Sequence, residues 1–199
     1  MPSSVFITGA NRGVGLEFVR QYAQIKPDTP KYVFAACRSP DTAEDLKKLQ
    51  QEYNNVVIVK LDLTDESTYG EVITQVTDKV GDDGLNLLIN NAGAAARSGI
   101  NDVTSQQMLD LYKINAVAPL LLTQAALNMI TKNMSLDLKK DGIMATAIHP
   151  GWIKTDMGGP SATTATEDCV KTLIALISSF KDESSNGQFY HYSGRVMSW

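Results

Sequence analysis

Gly9, Gly13 and Gly15 lie between the run Val5-Phe6-Ile7-Thr8 and an apolar-periodic stretch carrying Leu16, Phe18, Val19 and Tyr22. The pattern reads as strand, tight loop, helix N-terminus. The first glycine permits a turn with positive φ, and the other two let backbone approach a ligand closely. Helix amides and the positive end of the helix dipole then face an anion, most simply the pyrophosphate of a dinucleotide. The spacing G-x-x-x-G-x-G differs from G-x-G-x-x-G, and a βα turn that merely needs glycine is the plain alternative.

A carboxylate at the end of the second strand would hold a ribose 2′-OH. Here Cys37-Arg38 occupy that place, and Arg12 lies inside the glycine loop. Two guanidinium groups suit a 2′-phosphate, because planar bidentate donors match phosphate oxygens. The residues therefore favour NADPH over NADH, with two solvated surface arginines as the alternative. Asp62 ends the third apolar run, where it would meet an adenine or simply face water. Asn90-Asn91-Ala92-Gly93 closes the fourth run. Its amides suit both neighbouring backbone and a cofactor, and an ordinary Asn-Gly turn is the alternative.

These residues must be positioned by strands alternating with helices. Tyr32 to Arg38 reads as a buried strand, Asp41 to Tyr53 as a helix, and Val56 to Leu61 as a third strand. A helix to about Val80, a turn, and a strand from Leu85 to Ile89 follow. Continuous apolar strands between helices imply a parallel sheet covered on both faces, a doubly wound α/β fold. The stretch from about Thr104 to Lys140 then reads as helical almost throughout, with no strand until Ile143 to Ile148. One helix of that length would span about 55 Å at about 1.5 Å per residue. A compact domain of this size has a radius of gyration of about 16 Å. The helix must overhang or break, and Pro119 offers a kink midway. A helix from Thr166 to Phe180 and a strand from Gln188 to Tyr192 complete the chain.

Composition sets the outer limits. The 199 residues suit one domain spanning 1–199, and the net charge of -4 argues against nucleic acid or an anionic membrane as the main partner. No apolar run reaches the about 18 residues of a membrane span, and Met1-Pro2-Ser3-Ser4 leads straight into a strand. The expected compartment is the cytosol. Cys37 and Cys169 lack metal or redox spacing and should be free thiols there, so no metal site is expected.

Taken together, Thr8 to Gly15, Asn90-Asn91-Ala92-Gly93, Asn115 and Pro150-Gly151 with Thr155 resemble the short-chain dehydrogenase/reductase superfamily. His149-Pro150-Gly151-Trp152, Lys154 to Gly159 and the aromatic C-terminal strand bring the resemblance closer to the sniffer-type carbonyl reductases. The resemblance implies a Rossmann-like fold that binds NADPH/NADP and reduces a small-molecule carbonyl substrate. It implies that Gly9, Asn11, Arg12, Gly13, Val14 and Gly15 border the cofactor phosphates and that Arg38 holds the 2′-phosphate. Asp62 and Leu63 would flank the adenine, and Asn91, Ala92 and Gly93 would line the cofactor. Pro150, Gly151, Ile153 and Thr155 would border the nicotinamide. Asn115 matches the helix asparagine that supports a catalytic proton relay.

One part of the family pattern is missing. The family places a serine after a fifth strand and a Tyr-x-x-x-Lys on the next helix. Here Leu120 to Gln124 resembles the helix before that strand, and Ala125 to Ile130 the helix after the tyrosine and lysine. About fifty residues are absent at this join, judged against the family's usual length. The sheet should therefore lack one central strand. The proton donor needs a phenol beside a lysine ammonium that lowers its pKa, and i, i+4 spacing puts such a pair on one helix face. Tyr22 and Lys26 alone have that spacing. They fall at the far end of the first helix, so Tyr22 reads as core and Lys26 as surface. His149 and His191 read as structural. The expectation is NADPH binding with slow or no carbonyl reduction, by an enzyme, an inactive cofactor-binding isoform or a variant that interferes with a full-length partner. The family's homodimer contacts use the two helices joined here, so any homodimer should be weakened.

Overall fold

The computed structural model describes residues 1–95, 102–119, 121–122 and 142–198. It divides into two compact units, Met1–Ala126 and Leu127–Trp199, which are taken in turn.

The first unit carries four strands: β1 (Ser4–Thr8), β2 (Tyr32–Cys37), β3 (Val56–Lys60) and β4 (Leu87–Ile89). All are parallel, in the order β3-β2-β1-β4. The register pairs Val5 with Val33 on one side of β1 and with Leu87 on the other. β1, β2 and β3 step outward in one direction, and β4 then returns to the other flank of β1. The strand order thus reverses between β1 and β4, the place where parallel α/β sheets receive ligands. β1 is buried at all five positions and β2 at five of six. Their near-unbroken apolar sequences follow from having both faces covered.

Helices α1 (Gly13–Gln24), α2 (Glu44–Glu52) and α3 (Tyr69–Val80) connect these strands. α3 lays Tyr69, Val72, Val76 and Val80 against Phe6, Phe34 and Val59 of the sheet, the i, i+3/i+4 stripe its sequence shows. Tyr22 and Phe18 stack on α1 with centroids 6.2 Å apart, and both are buried. The sequence reading of Tyr22 as core and Lys26 as surface holds.

α4 (Ser105–Tyr112) opens on a reciprocal cap in which the Thr104 hydroxyl accepts from Gln107 N–H and the Gln107 side chain accepts from Thr104 N–H. A π-helical turn follows at Lys113–Val117. The sequence offers a kink at Pro119, and the structure places a π-helical turn just before it. Proline has no N–H to offer the carbonyl four residues back, which here belongs to Asn115, so the turn before it loses its α-helical register. The join at Gln124-Ala125 lies outside the described residues.

The second unit holds β5 (Ala147–His149), α5 (Thr166–Ser179), β6 (Phe189–His191) and β7 (Val196–Met197). β5 pairs parallel with β6, and β6 antiparallel with β7. β5 begins four residues later than the apolar run Ile143 to Ile148 suggested. Ala145 and Thr146 are held instead by side chains and loop: Ala145 N–H donates to Asn186 Oδ1 (2.9 Å) and Thr146 Oγ1 donates to Ser185 O (2.8 Å). β7 was not legible as a strand. Among the described residues no strand lies between β4 and β5, and the ladder of β5 runs to β6. The fold is a Rossmann-like, doubly wound α/β arrangement whose central parallel sheet has four strands.

Candidate active site

Every nucleotide-site residue expected in the first unit lies at the carboxyl end of a strand. Gly9 to Gly15 follow β1, Arg38 follows β2, Asp62 and Leu63 follow β3, and Asn91 to Gly93 follow β4. Gly9 has φ +66° and Gly13 φ +56°, the left-handed region that favours glycine. Gly15 is required for a different reason. A Cβ there would lie 2.2 Å from Gly9 O and 2.6 Å from Asn91 Nδ2. The helix can reach the strand end only without a side chain.

Asn91 and Thr8 stitch the two flanks of the switch point together. Asn91 Nδ2 donates to Thr8 O (2.9 Å), while Thr8 Oγ1 accepts from Asn91 N–H and Ala92 N–H (both 3.0 Å). Thr8 belongs to this hydrogen-bonded turn although sequence reasoning gives it no role. Its signal was a hydroxyl ending an otherwise apolar strand directly before the glycine turn. Arg12 stands at the N-cap of α1 with no side-chain cap bond, and the first turn holds no acid, so no first-turn carboxylate offsets the positive end of the helix dipole. Asn11, Arg12 and Gly13 are exposed on this loop, and Arg38 is exposed at the end of β2.

Asp62 is drawn into a local turn. Its Oδ1 accepts from Thr64 N–H (2.9 Å) and Thr64 Oγ1 (2.7 Å). Burial opposes its charge, but the Thr64 bonds and the nearby Arg38 and Lys113 outweigh burial and hold the carboxyl below the ordinary value. Leu63 packs against the core, and its carbonyl accepts from the Tyr69 hydroxyl (3.0 Å). Asn115 sits in the π-helical turn. Its Oδ1 accepts from Ala94 N–H (2.8 Å) and its Nδ2 donates to Ala94 O (2.7 Å). The side chain therefore latches this helix onto the segment leaving β4.

The second unit holds Pro150, Gly151, Ile153 and Thr155 in a tightly bonded loop. Lys154 N–H donates to Thr164 O (2.9 Å), Thr164 N–H to Trp152 O (3.3 Å), and Gly158 N–H to Thr155 Oγ1 (3.1 Å). Ile153 forms an isolated parallel bridge with Thr164 and is buried. Cys169 Sγ donates to Pro150 O (3.2 Å), and burial pushes its thiol up to about 11, so it stays a donor.

The family model described as short chain dehydrogenase matches residues 3–130, through the cradle and on past the π-helical turn. The chain belongs to the short-chain dehydrogenase family. Its fold closely follows that of the NADPH-bound carbonyl reductase from chicken fatty liver, with TM-score 0.92 and 33% identity over 99% of each chain. The carbonyl reductase Sniffer of D. melanogaster gives TM-score 0.94 at 30% identity, over 100% of both chains. An uncharacterised oxidoreductase of Schizosaccharomyces pombe is 25% identical over 249 positions, covering 96% of each chain. That alignment is 50 positions longer than the 199-residue chain, so at least that many positions of the relative face no residue here.

Tyr22 is wholly buried, its hydroxyl has no partner, and burial raises its pKa, the reverse of what a proton donor near neutrality needs. Among the described residues no group of three or more His, Cys, Asp or Glu side chains could hold a metal. No described helix is long and apolar enough to cross a membrane.

Proposed function

We propose that this chain binds NADPH in the manner of a carbonyl reductase but delivers hydride to a carbonyl very slowly or not at all. What supports the reading is the contrast between the close-packed glycine loop and a sequence whose one Tyr-x-x-x-Lys pair has its phenol in the core. Thr8, Gly9, Gly15 and Asn91 are locked into a loop whose glycines no side chain can replace. The cradle fits a dinucleotide pyrophosphate: two glycines hold positive φ, and an uncapped helix start faces the loop.

Arg12 and Arg38 would take the 2′-phosphate, Asp62 and Leu63 the adenine side, and Asn91, Ala92 and Gly93 the cofactor's inner edge. Pro150, Gly151, Ile153 and Thr155 would take the nicotinamide. The bound nucleotide would supply the hydride. Proton delivery to the carbonyl oxygen falls to the protein, and general acid catalysis contributes typically about 10²–10⁴-fold. The sequence holds one Tyr-x-x-x-Lys pair, Tyr22 with Lys26, and its phenol is in the core. Asn115 keeps the place of the relay asparagine but has no relay to support. The substrate class is a small carbonyl compound, the compartment the cytosol, and any homodimer is weakened by the missing segment.

A fluorescence titration of NADPH and NADH against the wild type and Arg38→Asp tests the cofactor assignment. NADPH should bind the wild type more tightly, and the substitution should weaken NADPH far more than NADH. Equal losses for the two cofactors would contradict it.

A further inference from the structure

We propose that His149 is a positioning residue for the Pro150-Gly151 turn, holding it in its cofactor-receiving form only while Nδ1 of its imidazole is unprotonated. The proposal rests on the reading that this turn borders the nicotinamide. Gly151 has φ +82°, and a Cβ there would lie 2.7 Å from the Tyr192 ring. The turn therefore lies flat on an aromatic face and admits only glycine. Its backbone is tied on three sides. Gly151 N–H donates to His149 Nδ1 (3.0 Å), Cys169 Sγ donates to Pro150 O, and Tyr192 N–H donates to His149 O (2.9 Å).

Of these ties only the first is made by an imidazole nitrogen, which accepts only while it carries no proton. An imidazole that accepts at Nδ1 carries its proton on Nε2. A second proton would go to Nδ1 and turn it into a donor facing the Gly151 N–H. The His191 ring lies 6.1 Å from the His149 ring, nearly parallel at 18°, and packs on Tyr192 at 4.4 Å. Its own Nδ1 accepts from Ser193 N–H (3.4 Å) and meets Ser193 Oγ at 2.8 Å. Among the described residues, the titratable groups that these contacts bring to His149 are His191 and Tyr192 from the β6 side and the Cys169 thiol from α5. Among the described residues neither histidine has an ion pair that would hold a charge on it.

The test is NADPH titration between pH 8 and pH 5.5 on the wild type, His149→Asn and His149→Leu, with thermal melts to verify folding. Asparagine places an acceptor oxygen where Nδ1 stood and does not titrate. It also controls for protonation of the cofactor's 2′-phosphate. Losing one hydrogen bond should weaken NADPH about three- to tenfold. The wild type should show that loss on acidification beyond any change in His149→Asn, and His149→Leu should show it at both pH values. Nitrogen-15 spectra of the imidazoles read the tautomer without cofactor and should show His149 Nδ1 bare at pH 8. The proposal fails if His149→Leu matches the wild type, if His149→Asn follows the wild-type pH course, or if Nδ1 is protonated at pH 8. Absence of NADPH binding by the wild type at pH 8 would overturn the nucleotide reading, and the tautomer spectra would still decide the role of His149.

Discussion

β1 and β2 are buried along almost their whole length, whereas β5, β6 and β7 are three, three and two residues long and none is buried throughout. Both units bury apolar side chains and both carry side chain-to-backbone bonds, but the first buries more of its strands. In the first, aliphatic and aromatic side chains of the sheet pack against α3, and apolar burial dominates. In the second, many ties are single polar side chains bonded to backbone. Thr166 Oγ1 donates to Lys154 O (2.8 Å), Trp152 Nε1 to Gly158 O (2.7 Å) and Thr146 Oγ1 to Ser185 O. A unit built on burial tolerates loss of one hydrogen bond but not of a core ring. One built on such ties shifts its loops with each bond removed.

The largest effect should come from the buried sheet. Phe34→Ala empties a fully buried position and should cost about 3–5 kcal/mol in urea unfolding. A loss under 1 kcal/mol would show that β2 is not the centre of the burial-held unit. Next in size is Gly15→Ala, whose added methyl meets Gly9 O and should cost about 1–3 kcal/mol and abolish NADPH binding. Gly70→Ala is its control, because a Cβ there meets nothing within 4 Å; stability should be unchanged or gain about 0.5–1 kcal/mol.

The expectation for alkaline pH concerns the second unit. Burial raises the Cys169 thiol from 9.0 to about 11 in the folded chain. The folded state thus binds this proton more tightly than the unfolded one. Its contribution is fully present below pH 9 and is lost as pH rises from 9 toward 11. Burial shifts Cys37 and Tyr22 in the same direction. Denaturation midpoints measured from pH 8 to pH 11 should fall steadily above pH 9, and native Cys169 should resist alkylation at pH 8. The smallest loss is expected for Thr166→Val, which removes one bond to Lys154 O and should cost about 1 kcal/mol. A larger effect there than at Phe34 would invert the comparison.

The same contrast explains what was legible in the sequence. The four parallel strands and the glycine loop were readable because continuous apolar runs and glycine spacing are local signals. The role of Tyr22 was readable from its place on the apolar stripe of α1. What escaped depended on contacts between distant residues. Thr8 Oγ1 serves amides 83 and 84 residues away. The late start of β5 comes from Asn186 capturing Ala145, and the π-helical turn at Asn115 from a missing donor four residues on. The amides of Asn90-Asn91 suit both neighbouring backbone and a cofactor, and the structure shows the Asn91 amide on Thr8 O. Asp62 was read as facing adenine or water, and its Oδ1 is engaged by Thr64.

The most direct test of a complete cradle without a proton donor is NADPH oxidation with a reactive dicarbonyl, measured beside NADPH binding on the same sample. The comparison is a chain in which a family-like segment bearing serine, tyrosine and lysine is restored between Gln124 and Ala125. The account expects both proteins to bind NADPH and the restored chain to turn over about 10²–10⁴-fold faster. Equal turnover from the two would contradict it, and the proton donor would then have to be sought at Tyr112 or Tyr190.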